Sequence, residues 1–310
     1  MTTIELIGVP FDGYGRPGNQ ARAAAALRSA GLLGAFAGCE IVSTDIELPA
    51  QTGERAAGSG LMNERALLAL VDQLYDRVRE SLTHDRFPVV YGADCSVLLG
   101  IVPALRDVAG RAGLLFVDGH EDATTISGSP DGEVANMEIA MLLGLTKYGL
   151  PDALSQRLPA LQLPALAMLG QRDEEWRRLL GVPSLVDRAV LLRDARAVAA
   201  DPAQHAREAV KHIASTASHW WLHVDLDVLS GDDFSARGES SEGREDPPLP
   251  GGLDWQQLTE LVGAAFAAGG CAGWSVVIYN PDRDPDGAAG RRIVRFVADI
   301  APFIAARNTR

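Results

Sequence analysis

Short apolar or β-branched runs alternate with helix-length segments along nearly the whole 310-residue chain. This alternation predicts one doubly wound α/β domain, in which helices cover both faces of a mostly parallel sheet. The predicted strands are 4–9, 87–91, 114–117, 165–169, 189–192, 220–226 and 273–279. The segments between them have helical periodicity, and they include 20–33, 63–83, 134–145, 201–217, 254–268 and 291–306.

Two stretches follow neither the helical nor the strand period. Residues 43–61 and 230–252 are rich in Gly, Pro, Ser and charged residues, which predicts surface loops rather than linkers between domains. A loop as long as the second is usually a lid or a disordered insertion. Because 47% of the residues are apolar, the chain can bury a full core, and we expect a single domain over residues 1–310.

Charge and hydropathy narrow the class of partner. The net charge of −13, from 28 basic and 41 acidic residues, disfavours nucleic acid, whose phosphates need a basic face. No apolar stretch approaches the roughly 20 residues of a membrane span, and the N-terminal sequence lacks a basic leader with a cleavage site. Three widely spaced cysteines argue against a disulfide framework. We therefore expect a cytoplasmic protein with no membrane or nucleic-acid partner.

Potential metal ligands follow two of the predicted strands at alternating positions. LLFVDGHED carries Asp118, His120 and Asp122, and LHVDLDVL carries Asp225 and Asp227. Residues two apart on an extended chain project to the same side, about 6.6 Å apart, so each motif directs its side chains at one volume. In parallel α/β sheets that volume is the crevice beyond the carboxyl ends of the strands, where ligands bind.

Four carboxylates in one crevice repel one another and lose hydration, and a cation is the simplest way to stabilise them. Oxygen-rich ligands with one imidazole favour Mn²⁺ over a metal that prefers thiolates. Two ions about 3.5–4 Å apart could share Asp118 and Asp225 as bridges and activate a water molecule. The alternative for each motif alone is a turn or a helix cap. The presence of both motifs favours the metal site.

Four further segments stand out in order along the chain: IGVPFDGYGRPGNQ with LRSAGL, YGADCSVLLG, LGQRDEE and VVIYNP. Together with VDGHED and HVDLDVL, they closely resemble the ordered motifs of the arginase and agmatinase superfamily, the ureohydrolases. YGADCSVLLG is similar to that family's Gly-Gly-Asp-His-Ser motif, HVDLDVL to its Ser-x-Asp-x-Asp motif and VVIYNP to its Glu-Val-Asn-Pro ending. The resemblance implies a three-layer α/β/α fold around a sheet of about eight strands, a binuclear manganese site and hydrolysis of a guanidino or amidino C–N bond.

Carried over residue by residue, the resemblance implies how the two ions are held. Asp118 and Asp225 would bridge them, and His120 and Asp227 would complete one of them. Asp122 would ligate the other ion and orient the attacking hydroxide. Family members often form trimers or hexamers, so a homo-oligomer is also implied.

The same resemblance implies which residues contact the substrate. Thr124 and Ser127 would lie near its carboxylate, and Glu175 lines up with a position that contacts its amino-acid end. Ile278 stands where the family has the glutamate that binds the guanidinium, so the implied substrate is not plain arginine. A minority branch with Cys-Ser in the first motif, which includes a hydrolase of hydroxylated arginine, is the most similar, although it keeps that glutamate.

Two further departures from the family affect the catalytic core. Cys95 replaces a metal-binding histidine, and its thiolate could ligate a metal or its small side chain could simply fill the space. EVANME replaces a His-Gly proton shuttle. We predict Glu133 as the proton carrier and Asn136 as a substrate contact, with Glu138 as an alternative for either role. His223 could donate a hydrogen bond to a ligand or be an ordinary packed side chain.

The leading hypothesis is a hydrolase that uses two Mn²⁺ ions per chain to cleave a C–N bond in a small guanidino- or amidino-type substrate. One rival is a metal-binding pseudoenzyme that senses a ligand, and another is a deacetylase of acyl amides on a related fold. The presence of Asp118, Asp122 and Asp225 favours catalysis, because a sensor has no need of a carboxylate that orients a hydroxide.

Overall fold

One eight-stranded sheet organises the chain. The computed structural model describes residues 2–14, 20–146, 148–237 and 251–306. Its strands are β1 (Thr3–Gly8), β2 (Glu40–Asp45), β3 (Phe87–Tyr91), β4 (Gly113–Val117), β5 (Leu166–Gln171), β6 (Leu191–Asp194), β7 (Trp220–Asp225) and β8 (Cys271–Val277). All neighbouring strands are parallel, in the order β2-β1-β3-β8-β7-β4-β5-β6. The predicted α/β fold with about eight strands is confirmed.

Helices connect successive strands and cover the sheet. In the described ranges they are α1 (Ala23–Ser29), α2 (Glu64–Thr83), α3 (Leu98–Ala109), α4 (Glu138–Leu142), α5 (Asp152–Ser155), α6 (Glu174–Leu180), α7 (Ala195–Ala200), α8 (Pro202–Ala214), α9 (Trp255–Ala267) and α10 (Ala288–Ala305). In α10, Ile293, Val297, Ile300 and Ile304 are buried at intervals of three or four residues. This spacing gives the helix one apolar face to pack against the rest of the fold.

Three sequence-based boundaries were wrong. The loop predicted over 43–61 begins inside β2, an edge strand that pairs only with β1 and has no buried residue. Such a strand has no apolar run to reveal it. The helix predicted over 134–145 is a 3₁₀ turn at Val134–Asn136 followed by the five-residue α4. The helix predicted over 20–33 ends early, because Gly31 has a left-handed φ of 99°.

The second predicted loop, 230–252, lies mostly outside the described residues. Its described beginning is held by a hydrogen bond from the Ser230 N–H to the Leu253 carbonyl at 2.9 Å, and the Trp255 indole N–H donates to the Asp233 carbonyl at 3.0 Å. None of the helices in the described part of the chain combines the length and apolarity needed to cross a membrane.

The central strands place the sequence motifs side by side. β3, β8, β7 and β4 are consecutive neighbours in the sheet, and every residue of these four strands is buried. The carboxyl end of β4 leads into Asp118, that of β7 is Asp225, that of β8 leads into Ile278, and the turn after β3 carries Cys95. The motifs therefore meet at the carboxyl edge of the sheet, where parallel α/β folds bind ligands.

Candidate metal centre

Two aspartates shape the backbone at the ends of β4 and β7. The Asp118 carboxylate accepts a hydrogen bond from the His120 N–H at 2.6 Å, and Asp225 accepts one from the Asp227 N–H at 2.7 Å. After Asp225 the chain forms a 3₁₀ turn, Leu226–Val228, instead of continuing as the extended strand predicted by the sequence. Side-chain bonds of this kind compete with the strand and stabilise a turn. They bring His120 and Asp227 towards each other.

Asp118, His120 and Asp227 form what we call the His120 side of the centre. One ligand atom of each lies within 4.8 Å of the other two, and His120 Nδ1 is 2.9 Å from Asp227 Oδ2. Burial by itself would raise the pKa of Asp227, but the charge and hydrogen bond of His120, the charge of Arg172 and the Gly119 N–H together hold that pKa below its usual range. Burial would lower the pKa of His120, but the charge of Asp227 and the hydrogen bonds to Asp118 and Asp227 together raise it. Positive charge is therefore stabilised at this position.

Cys95, Asp122 and Glu138 form the Cys95 side, and one ligand atom of each again lies within 4.8 Å of the others. Cys95 Sγ is 3.0 Å from Asp225 Oδ2 and 3.7 Å from Asp118 Oδ2. Burial raises the pKa of the Cys95 thiol well above its ordinary value, and these two carboxylates raise it further. Asp118 belongs to the His120 side and reaches Cys95, so the two sides form one continuous cluster.

Negative charge on the Cys95 side has little compensation. Asp122 and Glu138 are both buried, and apart from the Asp122 carboxyl no described side chain is a hydrogen-bond partner of either oxygen of Glu138. Burial raises the pKa of both carboxyl groups well above their ordinary values, and the neighbouring Glu138 and Asp118 raise that of Asp122 further. Asp122 also has a φ of 45°, which is uncommon outside glycine. On this side, buried carboxyl groups lie close together, and the backbone of Asp122 has an uncommon conformation.

Two further polar side chains, Asp94 and Arg172, fix the strand ends beside the cluster. Asp94 accepts hydrogen bonds from the Ser96 N–H at 3.0 Å and from the Gly13 N–H at 2.7 Å. Arg172, which follows β5, donates to the Asp227 carbonyl and, at 2.7 Å, to the Leu229 carbonyl. These bonds join the turns after β3 and β7 to neighbouring segments, and they give the ligand side chains a fixed frame.

The donor set fits a pair of divalent cations. Asp118 and Cys95 each belong to two of the groups of possible ligands, so neighbouring ions could share donors. Carboxylate oxygens with one imidazole suit Mn²⁺ or a similar hard cation. Such cations also neutralise carboxylates that would otherwise repel one another. The buried carboxylates of the cluster are Asp118, Asp122, Asp225, Asp227 and Glu138.

The residues predicted to contact substrate or carry protons lie at different depths. Thr124 is buried, and its hydroxyl has no hydrogen-bond partner within the described ranges. Glu133 is also buried, and its Oε2 accepts a 3.5 Å hydrogen bond from Asn136 Nδ2. Ser127 is exposed, as is Glu175, which pairs with Arg178 at 2.6 Å. Thr124 and Glu133 therefore lie in the interior, and Ser127 and Glu175 lie on the surface. The proposed roles of these four residues and of Asn136 stay predictions.

Ile278 occupies an unusual backbone position directly after β8. Its φ is 66°, a value that β-branched residues rarely adopt, and the residue is buried. Its N–H donates to the Ala93 carbonyl at 3.0 Å, and Ala93 also has a positive φ, 61°. Strained backbone of this kind is concentrated at functional sites. The hydrogen bond to Ala93 places Ile278 beside the turn that carries Cys95.

His223 contacts the cluster and is also packed in the core. Its Nε2 is 3.4 Å from Cys95 Sγ, and its Nδ1 is 2.8 Å from Ser275 Oγ. The ring stacks on Phe116 with centroids 5.3 Å apart. Burial lowers the pKa of His223 to about 3, so the ring is neutral at physiological pH. The ring is therefore packed in the core and also contacts Cys95, and a hydrogen bond from His223 to a metal ligand stays a prediction.

Glu138 is a member of the ligand cluster that the strand-end motifs did not reveal. This residue lies outside both strand-end motifs, and only tertiary structure brings it to Asp122. The sequence does contain a signal, because Glu138 is the one charged residue in the apolar stretch VANMEIAMLLG. A charged residue in a segment that must be buried needs a partner or a ligand.

Comparison with known proteins identifies similar sequences and folds. A sequence model of the arginase family matches residues 2–301. The arginase of Bacillus subtilis (strain 168) is 23% identical over 309 residues, which cover 96% of this chain and 97% of that protein. The crystal structure of an arginase from Bacillus subtilis superposes with a TM-score of 0.79 at 22% identity, covering 97% of this chain and 98% of the other. A formimidoylglutamase from the same organism gives 0.72 at 15% identity, covering 98% and 87%. At these identities, the solved structures establish the fold alone.

Proposed function

This chain belongs to the arginase family, and on that premise we propose that it is a manganese-dependent hydrolase of a C–N bond in a small guanidino- or amidino-type compound other than plain arginine. Family membership supports metal-dependent hydrolysis of guanidino C–N bonds in general. The more specific proposal, with two Mn²⁺ ions per chain, rests on the residues of the centre and on the departures from the family motifs.

One observation carries the proposal: two adjacent central strands, β4 and β7, bring their terminal aspartates into one buried cluster of carboxylates. Asp118 and Asp225 both lie within 4 Å of Cys95 Sγ, and Asp118 also lies 3.6 Å from His120 Nδ1. A buried cluster of like charges is costly unless cations neutralise it. We therefore propose that Asp118, Asp225, His120 and Asp227 would hold the cations.

Different residues of the chain would orient the water and donate the proton in the proposed reaction. Two bound divalent cations would supply Lewis acidity and lower the pKa of a water molecule. Asp122 would orient that water by accepting its hydrogen bond, and a proton of the water would pass to this carboxylate as the oxygen adds to the substrate carbon. The C–N bond would then break as the leaving nitrogen takes up a proton, and exchange with solvent would remove the proton from Asp122 and return one to the donor. Glu133 is the proposed donor to the leaving nitrogen, and its burial, together with the nearby amide of Asn136, supports the assignment.

The substrate proposal rests on Ile278, Thr124 and the loop after Asp122. A branched hydrocarbon at Ile278 offers no carboxylate to a guanidinium, and losing one partner of a buried charge pair costs about 2–5 kcal/mol. A neutral or weakly basic head group is therefore preferred there. The unpartnered hydroxyl of Thr124 supports a polar contact with the substrate. Ser127 and Glu175, both exposed, are assigned to the polar end of the substrate.

The test is metal analysis of the purified protein combined with a turnover screen over guanidino, amidino and acyl-amide compounds. Two ions per chain after manganese loading, with turnover of a guanidino or amidino compound, are expected. If no transition metal binds under any loading condition, the proposal is wrong. Two bound ions with ligand binding but without turnover would instead favour a metal-binding sensor, the alternative suggested by Ile278 and by the absence of the His-Gly shuttle. Turnover confined to acyl amides would favour a deacetylase.

A further inference from the structure

Glu138 is a buried charged group that the proposed reaction does not use. The residue is fully buried at the start of α4, and in the described part of the chain the carboxyl of Asp122 is the one side-chain hydrogen-bond partner of its oxygens. No arginine, lysine or histidine of that part forms an ion pair with it. Leaving a buried carboxylate without a cationic partner is costly, so a site that keeps one usually supplies a ligand for it.

The backbone fixes the position of this carboxylate. The Ile139 N–H donates to the Asp122 carbonyl at 3.2 Å, and the Thr124 N–H donates to the Asn136 carbonyl at 3.1 Å. These two bonds join the segment before and after Glu138 to the segment that carries Asp122. The Glu138 carboxylate is therefore held within 4.8 Å of both Asp122 and Cys95.

We propose that Glu138 is a direct ligand of the divalent ion on the Cys95 side, an inference that rests on the proposed two-ion centre. Cys95 occupies the position that resembles a histidine ligand in the family motif, and a neutral thiol there would leave that ion short of one donor. Glu138 supplies a hard oxygen donor and a negative charge from α4, an element outside the strand-end motifs. Mn²⁺ prefers such an oxygen to a thiol.

With Glu138 in this role, the thiol of Cys95 has a different task. Its Sγ lies 3.0 Å from Asp225 Oδ2, a distance at which a protonated thiol donates a hydrogen bond. The nearby Nε2 of the neutral His223 ring lies 3.4 Å from the same sulfur. Cys95 then orients the shared carboxylate of Asp225, and Asp122 and Glu138 hold the ion.

The test compares manganese binding by the wild type, Glu138→Gln and two further variants, using calorimetric titration and elemental analysis. Glu138→Gln keeps the shape of the side chain and removes its charge. We expect one tightly bound ion in this variant and two in the wild type. The affinity for the second ion should fall by at least about 10–100-fold, the loss caused by removing even an outer partner of a metal ligand. Low-temperature electron paramagnetic resonance should change from an exchange-coupled signal to that of an isolated Mn²⁺ ion.

Glu121→Gln is the matched control, because Glu121 is also buried but accepts hydrogen bonds from Leu185 N–H at 2.7 Å and Ser184 Oγ at 2.6 Å. It should retain two ions. Asp227→Asn changes a proposed ligand of the His120 side. Its loss of manganese affinity shows how large the effect of removing a direct ligand is. Two ions of wild-type affinity in Glu138→Gln would overturn this inference and leave the proposed function intact. A wild type that binds no metal would overturn both.

Thermal denaturation separates a ligand from a purely structural residue. In the metal-free protein, Glu138→Gln should melt at or above the wild-type temperature, because it removes a buried carboxyl group whose charged form has no cationic partner in the described part of the chain. The rise in melting temperature on adding Mn²⁺ should be smaller than in the wild type. A variant that melts lower without metal and gains as much from Mn²⁺ as the wild type would contradict the inference. If Glu138→Gln does not fold, the same comparison with Glu138→Ala decides.

Discussion

The two sides of the centre are built from similar residues but balance their charges differently. On the His120 side, an imidazole lies 2.9 Å from the Asp227 carboxylate, and the Gly119 N–H donates to the other oxygen at 3.0 Å. On the Cys95 side, the neighbours of Glu138 are another carboxylate and a thiol. The charges of the His120 side are therefore partly balanced without a cation, whereas the Cys95 side loses its repulsion only when its carboxyl groups bind protons or a cation. This contrast predicts that the two sides will respond differently to substitution, pH and metal.

The largest expected effect comes from Asp122→Asn on the Cys95 side. The asparagine preserves the shape of the side chain but removes the charge proposed to orient the attacking water. Turnover of the best substrate should fall by about 10²-fold or more, as when a comparable electrostatic contact is deleted from an active site. Steady-state kinetics with the manganese-loaded protein measures this fall in turnover, and Glu121→Gln is the control variant. Undiminished turnover would place the reaction centre elsewhere.

Ile278→Glu tests whether the hydrocarbon next to the Cys95 turn sets specificity. Losing one partner of a buried charge pair costs about 2–5 kcal/mol. Arginine and agmatine should therefore bind the wild type about 30-fold to several thousand-fold more weakly than they would bind a pocket with a carboxylate at this position. The variant should recover part of this loss, about tenfold or more in kcat/KM for urea release. Efficient arginine turnover by the wild type would show that another carboxylate meets the guanidinium.

The stability of the metal-free protein should fall as the pH rises. Burial raises the pKa of Asp118 to about 7, and it also raises those of Asp122, Asp225 and Glu138. Each of these groups binds a proton more tightly in the folded state, so its contribution is complete below about pH 4 and is lost as the pH rises through its folded pKa. For Asp118 the window is about pH 4 to 7, with a slope near 1.4 kcal/mol per pH unit.

Manganese should reverse this pH dependence, because metal binding requires deprotonated ligands. Urea unfolding at several pH values, with and without Mn²⁺, measures the two slopes. In the metal-free protein, the raised pKa of His120 also makes stability fall as the pH rises above about 6.5. The lowered pKa of Asp227 reduces stability only when the pH falls below about 4. A metal-free protein that gained stability between pH 5 and 7 would contradict the described charge balance.

Cys95→Ser should have the smallest effect. If the thiol only donates a hydrogen bond to Asp225, a serine hydroxyl can do the same, and affinity for the second Mn²⁺ should change by less than about tenfold, or 1.4 kcal/mol. A loss of about 100-fold or more would instead show that the Cys95 thiolate is a ligand. Calorimetric titration beside Glu138→Gln distinguishes these outcomes, because the two variants change neighbouring atoms of the same side.

Much of the fold could be predicted from local patterns in the chain. The seven predicted strands correspond to seven of the eight strands in the sheet, because six of them are largely buried and therefore mainly apolar. β6 is partly exposed like β2, but the apolar run at 189–192 revealed it, whereas β2 was missed because it has only Ile41 and Val42 between polar residues. The loop boundary at residue 43 was consequently wrong. Helix 134–145 was predicted from its apolar spacing, but a turn that ends at Asn136 interrupts it.

The sequence by itself determined the alternating α/β pattern and the two aspartate motifs, since hydrophobic periodicity and residue spacing are local properties of a chain. Tertiary structure decided which groups meet those motifs. Cys95 contacts Asp225, 130 positions away, and His223, 128 positions away. Glu138 reaches Asp122 through the packing of α4, and Ile278 is fixed by a bond to Ala93. Such contacts depend on strand order and on the folding back of distant segments, so residue spacing along the chain does not specify them.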